Sequence, residues 1–399
     1  MTQVVIVGAG PTGVTLALLL VKQGIKVKLV EASRNFRRIF RGEALMPSGL
    51  DALDQMGLSS VIERIPHRPL DAWEFIINGK TLFQVEEPME TGGKPCTLVS
   101  QPALLQELVA EAMTYPEFKL ISGNPVQDLL KSQGRICAVH LGDGTNIPAD
   151  LVIGTDGRNS VVRERANLQL KEQGQSFDVL WFKLADSPLF DSKNVFYTIV
   201  KGKSAFGLFR SSEGNLQLGW TLHPEEAFDW KQANWSEILA NAAPDRLAGY
   251  FRDLGDTIER PILLSVKVGL AHKWYAPGVL ILGDAAHPMS PIRAQGINVA
   301  LRDAIAAANH LIPVLLQGVE VSQIDAVLAR IQTEREPEII KIQKLQSQEV
   351  LQAEILRKIP LLQRVLSQLT PIVSPAIRKS WLSRQRQLRH GVTKVKLDI

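Results

Sequence analysis

The chain has 399 residues, 45% hydrophobic and 22% charged, with a formal net charge of +4 and a pI near 9.0. That length exceeds one ordinary core and implies two or three packed units of a soluble globular protein. Its two cysteines, Cys96 and Cys137, stand in neither a CxxC nor a metal-ligand spacing, which excludes a disulfide framework and fits a reduced, cytoplasmic setting.

The first residues carry neither the basic segment nor the cleavage site of a signal peptide. The longest strongly apolar run, 14–21, is too short to span a bilayer. Residues 4–7 are a β-branched run suited to a buried parallel strand. Residues 11–23 are apolar on all sides, as in a helix packed on a sheet, and Gly24 takes a common C-cap position. Residues 26–30 alternate Lys with aliphatics before Glu31, which completes a βαβ start. A strand entering a helix is predicted over 97–113. Strands are predicted over 135–141 and 145–153, flanking Gly142-Asp143-Gly144. Four short segments follow (179–184, 195–200, 205–210, 216–222), separated by polar and Gly-containing turns, and predict an antiparallel sheet. Residues 260–268 predict one more strand. A buried strand at 279–282 and a helix at 295–310 indicate that the chain leaves its first domain and returns to it. Beyond Val321 the pattern is helical, with Pro337 and Pro360 expected to kink or divide it.

Gly8-Ala9-Gly10-Pro11-Thr12-Gly13 is a GxGxxG directly after a strand and opening a helix. The first Gly permits the tight turn, the second lets backbone approach a pyrophosphate, and the third lets helix and strand pack closely. Glu31 follows about 20 residues on, where an acid accepts bonds from ribose hydroxyls. The motif predicts dinucleotide binding without choosing between FAD and NAD. A second apolar strand delivers Asp284 to the sheet's carboxyl edge, where a short carboxylate can bond a polyol; the same residue could simply cap a turn. Gly296 and Ile297 then open a helix whose N–H groups suit an anionic ring edge. His272 and His287 lack metal-ligand spacing, and neither a GxSxG nor a kinase-type loop occurs.

Gly154-Thr155-Asp156-Gly157-Arg158-Asn159-Ser160 with Arg163 resembles the DG motif of the FAD-dependent aromatic-hydroxylase family, which includes the ubiquinone-pathway hydroxylases. Gly283-Asp284-Ala285-Ala286-His287-Pro288, with Pro291 and Gln295-Gly296-Ile297-Asn298, resembles that family's GD motif. The resemblance implies an α/β fold: a Rossmann-like FAD-binding domain from 1–170 and 265–330, an inserted antiparallel-sheet substrate domain at 171–264, and a C-terminal helical region at 331–399. It implies FAD contacts at Gly8, Gly10, Pro11, Thr12, Gly13, Glu31, Ala32, Arg41, Gln101, Val126, Asp156, Asp284, Pro291, Gly296, Ile297 and Asn298. The family commonly has Gly where this chain has Ala294, preceded by Arg293; the departure touches substrate type rather than FAD binding.

The implied reaction is monooxygenation of a small aromatic or cyclic substrate through a flavin C4a-hydroperoxide, with NADPH or NADH as reductant and molecular oxygen as co-substrate. A reductase, dehydrogenase or halogenase of the same fold, or a flavin-binding sensor, is the alternative; the WxWxIP segment of such halogenases does not occur. No catalytic side chain is assigned, which fits a cofactor that carries the chemistry. Candidates for the substrate wall are Trp181, Phe209 and Trp220, with Arg210, Gln217 and Arg293 as polar anchors. Arg293 could equally serve the flavin ring or point to solvent. No nucleic-acid partner is expected, and a monomer or homodimer is. The basic residues between 377 and 399 predict a solvated C-terminal helix and tail, with weak membrane-surface contact to anionic lipid, or contact to an acidic partner, as the other reading.

Overall fold

A computed structural model describes residues 3–35, 43–174, 177–225, 229–318 and 320–399. Its centre is a six-stranded sheet in the order Tyr275–Ala276, Val279–Ile281, Leu151–Gly154, Gln3–Val7, Lys26–Glu31, Phe118–Ser122. All neighbours are parallel except the first pair. The all-apolar character of helix Pro11–Lys22 now has its cause. Leu16, Leu18 and Leu20 are wholly buried, and the helix packs against helices Gln295–Leu316 and Gln101–Ala112 as well as the sheet. Each such Leu contributes roughly 1.5–3 kcal/mol. Val279–Ile281 rejoins this sheet beside Leu151–Gly154, so the chain does leave and return.

The second sheet has seven strands, in the order Ile262–Leu264, Asp178–Leu184, Leu216–Leu222, Ser204–Arg210, Val195–Lys201, Ala72–Ile77, Lys80–Glu86. Its four central strands match the sequence expectation closely. The last two come from residues 72–86, outside the 171–264 span expected to build this sheet. They form a hairpin at Asn78-Gly79, where both residues have positive φ (48° and 79°) as a tight primed turn requires. Ala72–Ile77 then pairs in parallel with Val195–Lys201. Helices Trp235–Ala242 and Asp245–Leu254 cover one face of the sheet.

Other expectations are corrected. Residues 145–153 form two strands: Asn146–Pro148 pairs with Arg135–Leu141, and Leu151–Gly154 joins the parallel sheet. Asp150 marks the change of sheet by accepting the Gln3 N–H at 2.7 Å. Residues 260–268 likewise split, with Ile262–Leu264 and Val268–Ala271 in different sheets. The helix starting at Gln295 runs on through Pro313 to Leu316. Pro337 sits inside one continuous helix, Val321–Lys358, which also crosses the expected boundary at 330, whereas Pro360 opens a new helix, Pro360–Gln368. Thr370–His390 follows.

One helical stretch, Ile292–Leu316, has the length and apolar composition of a membrane span, longer than the run noted at 14–21. It is 72% buried over its most apolar window and packs as a core helix. The basic C-terminus is solvated in part: Arg378, Lys379, Arg386, Lys394 and Lys396 are exposed, whereas other residues of it dock on the body of the protein. Arg389 is 1% exposed and ion-pairs with Glu87 at 2.5 and 2.8 Å. Val395 is buried, and the Lys396 carbonyl accepts from Asn309 at 2.7 Å.

Candidate active site

The carboxyl ends of three adjacent parallel strands carry the three motifs, at the edge where open α/β sheets bind ligands. Gly8 has φ +99°, and a Cβ there would stand 2.6 Å from the Thr155 carbonyl oxygen. A Cβ on Gly13 would lie 2.1 Å from the Gly8 oxygen. These two glycines let the loop, helix and DG segment interlock. Around Gly10, by contrast, a Cβ meets only one atom, 3.9 Å away, and Gly10, Pro11 and Thr12 line a cavity of about 550 Å³. Helix Pro11–Lys22 has no side-chain N-cap, so its first-turn N–H groups are available there.

Glu31 is 3% exposed; its carboxylate accepts from Ala9 N–H at 2.8 Å and Ser33 N–H at 2.9 Å. It therefore braces the glycine loop as well as ending its strand. Ala32 is exposed beside it. Val126 is buried in the core at the start of strand Val126–Ser132 and does not line the cavity. Arg41 lies outside the described residues. Asp156 also stands off the cavity wall, which Thr155, Gly157 and Arg158 supply instead. Its carboxylate accepts from the Ser160 hydroxyl at 2.5 Å and the Val162 N–H at 3.0 Å, securing helix Val161–Arg165. Burial pushes its carboxyl up despite those bonds. Arg163 ties this segment to the GD turn through the Ala285 carbonyl at 2.8 Å.

In the GD turn, Gly283 has φ +58°, and a Cβ there would stand 2.5 Å from Thr12 Oγ1, so the two motifs touch. Asp284, half-buried, lines the cavity with Gln101, Pro291, Gly296 and Ile297. His287 Nε2 lies 2.8 Å from Asp303 Oδ2. Burial alone would raise Asp303, but His287 and Arg335 outweigh it and hold the carboxyl below its ordinary range. Arg293 and Ala294 both adopt left-handed backbone, φ 61° and 48°. For residues other than Gly each costs roughly 1–2 kcal/mol. The loop is held by side chains that sequence reasoning missed. Gln346 donates to the Ser290 and Ile292 carbonyls at 2.9 and 2.7 Å, and Gln295 donates to Arg293 O at 2.8 Å. Asn298 points away from the cavity: its amide donates to Ala294 O and Ala44 O and accepts from Met46 N–H.

Arg293 does not point to solvent. It lines the cavity at 10% side-chain exposure and pairs with Glu349 at 2.8 Å. The rings of Trp73, Phe75 and Trp381 surround it at 5.7, 5.4 and 5.1 Å. Glu349 also accepts from Arg384 at 2.9 Å. Burial raises Glu349, yet the two guanidinium groups prevail and keep it low.

The seven-stranded sheet is the opposite wall, and the two-residue pleat decides who faces it. Trp181 and Phe209 line the cavity. Trp220 and Arg210 do not. Trp220 pairs across with Leu180, on the face that packs against Trp235. Arg210 is one residue past Phe209 and forms ion pairs with Asp186 and Asp191. Gly207 and Gly219 on the cavity side leave room for rings: a Cβ would stand 3.1 Å from Phe196 and 3.2 Å from Trp181. Gln217 turns to Glu43, whose carboxylate lines the cavity and accepts from it at 2.8 Å. Burial raises Glu43, and its bonds to Gln217 and Ser212 only partly offset this. Trp73, Phe75 and Phe83 from the 72–86 hairpin and Trp381 from the C-terminal helix were not foreseen. The Asn-Gly turn flanked by alternating apolar residues was the available signal for the hairpin. Elsewhere, His223, Glu225 and Glu354 bring ligand atoms within 4.8 Å of one another, but Arg357 already pairs with both carboxylates at 2.6 and 3.0 Å.

Comparison with known proteins matches residues 1–337 to the family model described as FAD binding domain. The chain is 34% identical to 6-methylpretetramide 4-monooxygenase of Streptomyces rimosus, over 88% of this chain and 84% of that protein. It is 26% identical to ubiquinone hydroxylase UbiL of Rhodospirillum rubrum, over 77% and 72%. Among solved structures, P. aeruginosa PqsL in complex with 2-aminobenzoylacetate superposes with a TM-score of 0.76 at 23% identity, covering 86% of this chain and 94% of that one. This last likeness is one of fold.

Proposed function

We propose that this chain, which belongs to the FAD binding domain family, is a monooxygenase that hydroxylates a small aromatic or cyclic substrate, with NADPH or NADH as reductant. The residues present fit FAD. A Cβ at Gly157 or Gly296 meets nothing within 4 Å, and both line the same cavity as Gly10, giving a cradle of bare backbone. When bound, FAD supplies the redox chemistry that activates molecular oxygen.

The chain's own groups have separable tasks in this reading. The first-turn N–H groups of helix Pro11–Lys22 receive the pyrophosphate. The Glu31 carboxylate, beside its bonds to Ala9 and Ser33 N–H, would accept from the adenosine ribose, and that of Asp284 would accept from the ribityl hydroxyls. The N-terminus of helix Gln295–Leu316, open to the cavity, would favour negative charge on a flavin's pyrimidine edge held there. Trp181, Phe196 and Phe209 exclude water and offer flat surfaces to a ring. Glu43 is a wall carboxyl whose neutral form burial favours. Arg293, fixed by Glu349 and three rings, presents an oriented charge to an anionic substituent.

The observation that carries this reading is the meeting, in one cavity, of two uncapped helix N-termini with an aromatic sheet wall. It is tested by a panel of phenols, hydroxypyridines and polycyclic aromatics, recording NAD(P)H oxidation, hydrogen peroxide and oxygenated product together under labelled oxygen gas. Product carrying one labelled oxygen is expected. Reduction, dehydrogenation or halogenation of the panel without oxygen transfer would move the reading to another flavin reaction.

A further inference from the structure

The C-terminal helices carry an outward apolar stripe in addition to the inward one that sets Leu356, Leu366, Ile377 and Trp381 against the core. Of the fourteen large hydrophobic side chains exposed among the described residues, seven fall between 351 and 372. On helix Val321–Lys358, Leu351 (60% exposed) and Ile355 (44%) repeat at four-residue spacing, and Ile359 follows just past its end. On helix Pro360–Gln368, Leu361 (69%) and Val365 (40%) continue the stripe, with Leu369 and Ile372 (75%) beyond. The two fully buried positions of that same short helix are polar, Gln363 and Ser367, with Leu366 packed beside them on the core. Gln363 exchanges hydrogen bonds with the Gly202 backbone at 2.7 and 2.9 Å, pinning the helix polar side down. A helix facing only water would show the reverse arrangement.

The charge on this ridge has one sign. Between 351 and 380 the exposed charged side chains are Lys358, Arg364, Arg378 and Lys379, all cationic. The single acid, Glu354, is less exposed and paired with Arg357 and Lys358. A second copy docking symmetrically would bring these cations against their equals, which costs energy. A surface of anionic headgroups over hydrocarbon satisfies both features at once: apolar side chains enter the interface and the cations meet phosphates.

We propose that the ridge formed by residues 351–379 docks on the surface of an anionic lipid bilayer, lying in the interface without spanning it. Leu356, Ile377 and Trp381, on the inner sides of the same helices, line the cavity, as do the exposed Gln352 and Ala353. Docking therefore brings the cavity close to the lipid, a route by which an apolar compound reaches it without crossing water. The docking itself does not depend on the reaction proposed above.

The flavin-loaded full chain is mixed with phosphatidylcholine vesicles, with and without phosphatidylglycerol, and the bound fraction is measured by co-sedimentation at low and high salt. Binding is expected only with phosphatidylglycerol, weakening with salt. The exposed triple variant Leu361→Ser, Val365→Ser, Ile372→Ser should partition roughly tenfold or more weakly, with unchanged flavin content and melting temperature. Arg364→Glu with Lys379→Glu should remove the preference for the anionic lipid. The proposal is overturned if the wild type ignores anionic vesicles at low salt, if the triple variant binds as well as wild type, or if sedimentation velocity shows a dimer that the triple variant dissolves.

Discussion

Arg335 and Asp303 form an ion pair from which water is excluded: Nε stands 2.8 Å from Oδ1, and both side chains are wholly buried. The other Asp303 oxygen holds His287 of the GD turn, while Arg335 also pairs with Glu338 at 2.5 Å. Glu338 in turn binds Arg302 and the Val392 N–H. One line of charge thus runs from the cofactor turn to the C-terminal segment.

Replacing Arg335 with Leu takes one guanidinium from two buried carboxylates, leaving Asp303 with His287 and Glu338 with Arg302; breaking a buried pair costs about 3–5 kcal/mol. Urea denaturation of wild type and variant measures this. The sign with pH follows from the carboxyls being held low in the fold. The difference between the two proteins should be full above the ordinary values of 3.8 and 4.5 and shrink as pH falls below them. A difference that does not vary with pH would mean that packing rather than charge is lost.

Asp284→Ala and Glu31→Ala should weaken FAD retention in different company. Each removes a charge-assisted acceptor, about 1.5–3 kcal/mol, or roughly ten- to a hundred-fold in affinity. Glu31→Ala also strands the Ala9 and Ser33 N–H groups and should lower the melting temperature of the flavin-free protein. Asp284→Ala should leave that temperature unchanged. Fluorescence titration with FAD and thermal melts separate the two effects; unaltered affinity in Asp284→Ala would reduce that residue to a turn former.

Ala294 occupies a conformation better suited to Gly. Ala294→Gly relieves roughly 1–2 kcal/mol of left-handed strain and adds about 0.5–1 kcal/mol of unfolded-state freedom. The net effect should be a small stabilisation. Ala294→Val, β-branched at the same φ, should destabilise clearly. If both behave alike in denaturant melts, the loop relaxes out of the left-handed region.

Glu43 has its carboxyl raised, so its ionisation weakens the fold: stability is greatest below its ordinary value of 4.5 and falls as pH rises through the higher folded value. Glu43→Gln keeps the shape without the charge. It should melt higher than wild type near about pH 8 and equally near about pH 4. A gap of the opposite sign would show a carboxylate that the fold welcomes.

For Arg293, alanine substitution distinguishes its two partners. An increased KM for acidic substrates at unchanged flavin potential assigns the guanidinium to substrate, which is the expected result, because Arg293 lines the cavity among the rings of Trp73, Phe75 and Trp381. A lowered potential at unchanged KM would assign it to the flavin.

The parts of the site that were legible in sequence are local. GxGxxG, DG and GD each sit within a strand-turn-helix unit, and the close approach of Gly13 to Gly8 lies inside one of them, whereas Gly8 and Gly283 meet Thr155 and Thr12 of neighbouring units. What was hidden depends on partners distant in sequence. The strands at 72–86 enter the wall only by pairing with Val195–Lys201. Trp181 and Trp220 look equivalent until the register sets Trp181 opposite Gly219 and Trp220 opposite Leu180. Asp156 and Asn298 carry motif identities, but their oxygens are aimed by neighbouring backbone N–H groups that no motif specifies.

The cavity wall draws on the hairpin at 72–86, the sheet at 178–222, the loop at 290–297 and the helices at 349–384. No single contiguous graft can therefore transplant substrate preference from a relative into this scaffold. Exchanging the sheet alone leaves the incoming wall facing Trp73, Phe75 and Trp381 of the host. Effective redesign has to change residues in all four stretches together, beginning where the hairpin, the loop and the helices converge on Arg293.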